Sequence, residues 1–114
     1  MKTLDEIHLS DRDRRAVEQA AELLRARFPV EQVALYGSKA RGQDDPESDI
    51  DLLILTGRTL SASEKKRIIE ALFELELELD VVISPLMIPR EEWDHGLYQV
   101  LPIHREIERE GVVA

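Results

Sequence analysis

Residues 49–55, DIDLLIL, constrain the fold more than any other stretch of this chain. Leu52, Leu53, Ile54 and Leu55 are apolar at consecutive positions, so both faces of the strand they form must be covered. A half-solvated hairpin leaves one of those faces in water and is excluded. The first three residues break the pattern. Asp49 and Asp51 stand two positions apart, which on a strand means one face, with side-chain origins roughly 7 Å apart. Ile50, Leu52 and Ile54 point the other way, into a core, and leave the two carboxylates little freedom to turn aside.

A strand covered on both faces asks for helices around it, and the sequence supplies them. Ser10 precedes DRDRRAVEQAAELLRARF, in which Ala16, Val17, Ala20, Leu23, Leu24 and Phe28 recur at helical spacing, with acids at the start, arginines near the end and Pro29 behind. This predicts a helix over 11–28. VEQVALYG predicts a strand over 31–36 that stops at Gly37. Ser38 to Gly42 forms one helical turn, DDPE supplies a turn at Pro46, and the second strand covers 49–55. Ile68, Ile69, Leu72 and Phe73 predict a helix over 62–75.

From Leu75 the sequence LELELDVVIS alternates strictly, the period of a strand, although Glu and Leu favour helix. It predicts a third strand over 78–84 that carries Asp80. Pro85 and Pro89 then break the chain, and PREEWDHGLY reads as an irregular connection or short helical turn in which Trp93 and Tyr98 pack locally. A last helix follows Pro102 over 103–110, with Gly111 at its end. Helices alternating with strands make an α/β domain, a small sheet of three or four strands flanked by helices, and 114 residues suffice for one domain spanning 1–114. Pattern alone leaves open whether the sheet is parallel or mixed.

Composition removes several classes of function. Fifteen Lys and Arg against 24 Asp and Glu give a formal charge of -9, which repels a phosphate backbone and disfavours nucleic acid as a direct partner. The chain has no cysteine, so it holds neither a disulfide nor a thiolate metal site, and a reducing cytoplasm is the simplest setting. Neither an export signal nor an apolar run of membrane-spanning length is present, which predicts no membrane partner. His8, His95 and His104 lie far apart without ligand spacing and read as surface or packing residues.

Oxygen ligands therefore remain for any metal. Two carboxylates against a buried strand are costly unless compensated, and a divalent cation with oxygen preference, magnesium rather than zinc, compensates them. Gly37 and Ser38 end the preceding strand where a helical turn begins, which leaves backbone N–H groups for an anion. Asp80, if it lies on the third strand, completes a carboxylate triad or accepts a proton from an attacking hydroxyl. Anion grip, metal pair and base are the parts of phosphoryl or nucleotidyl transfer.

GSKARGQDDPESDID is Gly-Ser, ten residues, then Asp-x-Asp, and it resembles the nucleotidyltransferase superfamily that includes DNA polymerase beta and kanamycin nucleotidyltransferase. GSKARG, SDIDLLIL, the small size and the REIEREGVV tail are most similar to the minimal nucleotidyltransferases, the MntA-type antitoxins. The resemblance implies a polymerase beta palm-like fold with a mixed sheet. It implies that Gly37 and Ser38 hold the β and γ phosphates of ATP, that Asp49 and Asp51 bind two magnesium ions, and that Asp80 is the third metal-site carboxylate and general base. Arg41 matches the family's arginine that steadies the Gly-Ser turn or touches phosphate. The implied acceptor is a tyrosine on a partner toxin of the HEPN class, a ribonuclease blocked by the added AMP, through which the chain would also oligomerise. An acidic antitoxin suits a basic partner. Two other functions fit the residues: an antitoxin that only binds and occludes the toxin, and a nucleotidyltransferase for a small molecule such as an aminoglycoside, which the lack of a second helical domain disfavours.

Overall fold

The structure, a computed structural model, describes residues 1–43 and 45–114. Its order is β1 (Lys2–Thr3), α1 (Asp11–Arg27), β2 (Val30–Tyr36), β3 (Ile50–Thr56), α2 (Ala62–Leu79), β4 (Ile83–Pro89), α3 (Arg90–His95), α4 (Pro102–Glu110) and β5 (Val112–Val113), with 3-10 turns at Leu4–Glu6 and Leu97–Val100. The strands form one mixed sheet in the order β1-β5-β2-β3-β4. β2 and β3 are antiparallel, with Leu35 opposite Leu52 and Tyr36 opposite Asp51. β3 and β4 are parallel, with Asp51 beside Ser84.

The doubly apolar strand behaves as its sequence demands. On one face Ile50, Leu52 and Ile54 join Val33 and Leu35 beneath α1 and α2, which contribute Ala16, Val17, Ala20, Leu24, Ile68, Leu72 and Leu75. On the other, Leu53 and Leu55 join Ala34 and Ile88 under Trp93 and Ile107 of α3 and α4. Ile54 is wholly buried, so truncating it to alanine should cost about 2–5 kcal/mol. Trp93 is buried too, donates from Nε1 to Glu108 Oε1 at 2.9 Å and packs on His104 with ring centres 4.4 Å apart.

α1 starts where Ser10 accepts the Asp13 N–H at 3.1 Å, and carries Asp11 and Asp13 in its first turn and Arg25 and Arg27 in its last. Ser61 and Glu64 close a reciprocal capping box on α2. That helix runs to Leu79, which corrects the expected strand over 78–84. The alternation of Leu75, Leu77 and Leu79 is real, but on the helix Leu75 is buried while Leu77 stands 69 % exposed. Helix propensity and the continued ladder outweigh the period-two pattern.

The chain therefore reaches its third long strand only at Ile83, and Pro85 and Pro89 lie inside that strand. They are tolerated because β4 is the sheet's edge, where a missing N–H faces solvent. Two strands were not expected at all. β5 pairs with β1 and β2, and its two residues tie the chain's ends to the sheet and raise the strand count to five. Asp44, the first residue of the expected DDPE turn, lies outside the described residues. The rest of that turn closes with Glu47 N–H on Asp45 Oδ1 at 2.9 Å and Ser48 N–H on the Asp45 carbonyl at 3.1 Å. Among the described residues, no helix is long and apolar enough to cross a membrane.

Candidate active site

The end of β2 and the start of β3 are neighbours in the sheet, with Tyr36 opposite Asp51, so residues some fifteen apart in sequence meet. At Gly37 the backbone turns through φ +79°, and a Cβ there would fall on a carboxylate oxygen of Asp51. Only glycine lets the turn lie against that carboxylate. The turn is closed by the N–H groups of Ala40 and Arg41 on the Gly37 carbonyl, of Gly42 on Lys39 and of Gln43 on Ser38. Among the described residues no bond of the turn takes the N–H of Ser38 or Lys39. Those two N–H groups, with the Ser38 hydroxyl, suit an anion.

Asp49 and Asp51 share the face of β3 that looks toward α3 and α4, as their spacing requires. Asp49 is exposed and Asp51 half-buried. Partial burial pushes the Asp51 carboxyl above its ordinary range, the neighbouring Asp49 charge pushes it further, and Arg41 opposes both. Across the strands Asp51 lies between Tyr36 of β2 and Ser84 of β4. The Tyr36 hydroxyl is raised by burial and by the Asp51 charge. Ser84 Oγ donates to Asp49 Oδ2 at 2.9 Å.

Asp80 is not on a strand. It ends α2 in the left-handed region, φ 55° and ψ 53°, and is exposed. It lines a cleft of about 410 Å³ with Arg12, Asp13, Ser48, Ile50 and Val82, on the α1–α2 side of the sheet. Among the described residues no group of three carboxylates or histidines stands close enough to hold a metal together. The expectation that Asp80 extends a strand fails because α2 continues four residues past its expected end and uses Asp80 to stop. Arg41 also has a defined place. Its guanidinium donates to Glu110 Oε2 at 3.0 Å and lies 3.8 Å from Glu106, which ties the turn to α4.

Lys39 is the residue that motif reading passes over. Within GSKARG it looks like a solvated lysine, yet it and Asp13 of α1 are both only 2 % exposed, with Nζ on Asp13 Oδ2 at 2.7 Å. The same ammonium donates to the Asp45 carbonyl at 3.1 Å. It thus joins three segments: α1, the Gly-Ser turn and the loop into β3. Nothing local marks Lys39 as buried, because its partner lies 26 residues away. Ser84 and Tyr36 were likewise invisible, since only strand register places them beside the aspartates.

The donor set fits a hard divalent cation. It consists of two carboxylates on one face, all ligands oxygen, with an anion-seeking turn in contact; magnesium is commonly held by one or two carboxylates plus substrate phosphates.

Known proteins resemble this chain in sequence and in fold. The sequence profile of the nucleotidyltransferase domain family matches residues 17–109. A Methanocaldococcus jannaschii protein provisionally named a protein adenylyltransferase is 41% identical over 58 residues, 51% of this chain and 59% of that protein. The match thus spans about three fifths of that relative's length. Among solved structures, one provisionally named a minimal nucleotidyltransferase superposes with a TM-score of 0.59 at 25% identity, covering 87% of this chain and 89% of the other. Another, the MNT antitoxin bound to a tri-AMPylated Shewanella oneidensis HEPN toxin, gives a TM-score of 0.55 at 17% identity, covering 89% and 70%, a likeness of fold.

Proposed function

Because this chain belongs to the nucleotidyltransferase domain family, we propose that it transfers AMP from ATP to a tyrosine hydroxyl of a HEPN-class toxin and thereby acts as that toxin's antitoxin. The observation that carries the reading is the contact of the Gly37 turn with the Asp51 carboxylate, which sets an anion-binding backbone against a cation-binding pair. The naming of a 41% identical relative supports adenylyl transfer to protein, and the fold neighbour bound to an AMPylated toxin supports the partner.

In this reaction the acceptor oxygen bonds to the α-phosphorus, the bond from that phosphorus to pyrophosphate breaks, and the acceptor's proton passes to a base. Bound magnesium would neutralise charge on the attacking and leaving oxygens. The chain's own residues do the placing. Asp49 and Asp51 would hold two ions, with Ser84 fixing the Asp49 carboxylate. The Ser38 and Lys39 N–H groups and the Ser38 hydroxyl would orient the β and γ phosphates. Arg41, drawn off to Glu110, would anchor the turn rather than meet phosphate. Asp80 remains the candidate third carboxylate by motif alone.

Labelled ATP, magnesium and a HEPN toxin, mixed with the wild-type chain, should give covalent AMP on the toxin. Asp49→Asn with Asp51→Asn should abolish the label. If that double variant neutralises the toxin as well as wild type, the antitoxin acts by occlusion and the catalytic account is wrong. Asp80→Asn decides the third carboxylate: loss of label comparable to the Asp49 variant includes it in the site, and near-wild-type labelling removes it.

A further inference from the structure

α2 presents a second apolar face that the fold does not use. Ile69, Phe73 and Leu77 are 52, 55 and 69 % exposed, while Ile68, Leu72 and Leu75 of the same helix are buried. Spaced four apart, the exposed three form one stripe along the side turned away from the core. Three contiguous large apolar side chains, each more than half in water, mark a contact surface rather than scattered exposure.

The charges on α2 identify what fits there. Lys65, Lys66 and Arg67 follow directly on the first turn, while Glu74, Glu76 and Glu78 lie in the second half and the last turn has no basic residue. Glu64 suits the first turn, but acids without a base in the last turn oppose the helix dipole at the C-terminal end. α1 has the favourable order, Asp11 and Asp13 first, Arg25 and Arg27 last. An antiparallel copy of α2 supplies cations to the acidic C-terminal end that the helix itself leaves without them. It lays Lys65 and Lys66 against the acidic C-terminal end of its mate and receives the same in return. A two-fold axis near Phe73 sets Phe73 on Phe73 and Ile69 on Leu77, so the stripe is its own complement.

We infer that α2 is a self-association surface, on which a second copy of this chain packs antiparallel through Ile69, Phe73 and Leu77. The surface is distinct from the aspartate site, which faces α3 and α4, and the inference does not depend on nucleotidyl transfer. Each copy carries -9, so long-range repulsion opposes pairing in dilute salt and is largely screened at physiological ionic strength.

Sedimentation of the wild-type chain at physiological salt, from micromolar to millimolar concentration, should show a monomer–dimer equilibrium. Phe73→Glu should raise the dissociation constant at least about a hundredfold, because each dimer loses two phenylalanine contacts. Its melting temperature as a monomer should hold, since the side chain is already more than half exposed. The chain has no cysteine, so introduced thiols report the register without interference. Phe73→Cys should oxidise to a disulfide-linked dimer. Ile69→Cys mixed with Leu77→Cys should cross-link, and Ile69→Cys alone should not, its mate lying roughly 12 Å along the helix. A monomer at millimolar concentration overturns the inference and leaves the face to a different protein. Cross-linking of Ile69→Cys with itself as readily as with Leu77→Cys overturns the antiparallel register.

Discussion

Replacing Lys39 by methionine should unfold this domain more readily than any comparable change to its other lysines. The ammonium and the Asp13 carboxylate are 2.7 Å apart and both 2 % exposed. At an effective dielectric of about 20, that separation corresponds to roughly 6 kcal/mol of attraction. Desolvating the two ions costs several kcal/mol each, so the intact pair contributes little net stability. The single variant forfeits the attraction and keeps the desolvation of Asp13, whose Oδ1 has no hydrogen-bond partner among the described residues and only Arg12 at 3.7 Å, itself part-exposed, for a counter-charge. The expected loss is about 3–5 kcal/mol, a large part of a domain's total of about 5–15 kcal/mol. At roughly 4 °C per kcal/mol for a chain of this length, the midpoint should fall by about 12–20 °C.

Lys39→Met combined with Asp13→Leu removes both charges and should recover wild-type stability or exceed it. Nucleotidyl transfer should not recover with it. The double variant still lacks the bond from Lys39 to the Asp45 carbonyl, and a turn displaced by about 1 Å costs on the order of a hundredfold in rate. Urea titration followed by circular dichroism reads the first quantity and labelled-AMP transfer the second. A single variant within about 1 kcal/mol of wild type would falsify the buried-pair argument. A double variant with wild-type transfer would show that the turn holds its shape without the lysine.

Gly37→Ala should lower stability by at least about 1–3 kcal/mol, because strained backbone and the clash with Asp51 add, whereas Gly42→Ala, at φ +77° with nothing near its Cβ, should cost about 1 kcal/mol; thermal melts compare them. Asp80→Gly should stabilise by about 0.5–1 kcal/mol, since glycine adopts the left-handed conformation at the end of α2 without penalty. Magnesium should raise the melting temperature of wild type and not of the Asp49→Asn, Asp51→Asn double variant; an equal rise in both places the cation elsewhere. Glu64 is pushed down to about 2 by the Arg58 guanidinium first and the Ser61 N–H second. A depressed carboxylate contributes stability above its ordinary value near 4.5 that is lost as pH falls toward about 2. Wild type should therefore lose stability more steeply than Glu64→Gln across that window, and parallel curves would remove Glu64 from the acid response.

Elements with a strong and uncontested period are readable from sequence alone. α1 is amphipathic over its whole length and flanked by Ser10 and Pro29, and β3 is apolar on both faces, so each lies within a residue or so of its expected bounds. The error at α2 has one cause. Leu75, Leu77 and Leu79 satisfy a strand's period and a helix's propensity together, and the leucine that decides, Leu77, points to solvent. From that error came the misplaced third strand and Asp80's assignment to it. β1 and β5 are two residues each, too short for any period, and exist because the chain ends meet, Lys2 beside Val112 and Ala34 opposite Val113. Spacing exposes the two halves of the candidate site, Gly37-Ser38 and Asp49-x-Asp51. What braces them, Lys39 on Asp13, Arg41 on Glu110 and Ser84 on Asp49, depends on partners 26, 69 and 35 residues away.

The prolines of β4 also limit how another protein can approach the sheet. Along this edge strand, alternate N–H groups at positions 83, 85, 87 and 89 face outward. The Ile83 N–H is taken by Glu76 Oε2 at 3.1 Å, and Pro85 and Pro89 have none to give. Met87 is left as the single outward donor, too few to template an incoming strand. The opposite edge is β1, two residues long. Both edges are therefore poor templates for an added strand. If the acceptor is a protein, as proposed above, it would present its hydroxyl over the aspartate face instead of adding a strand to the sheet.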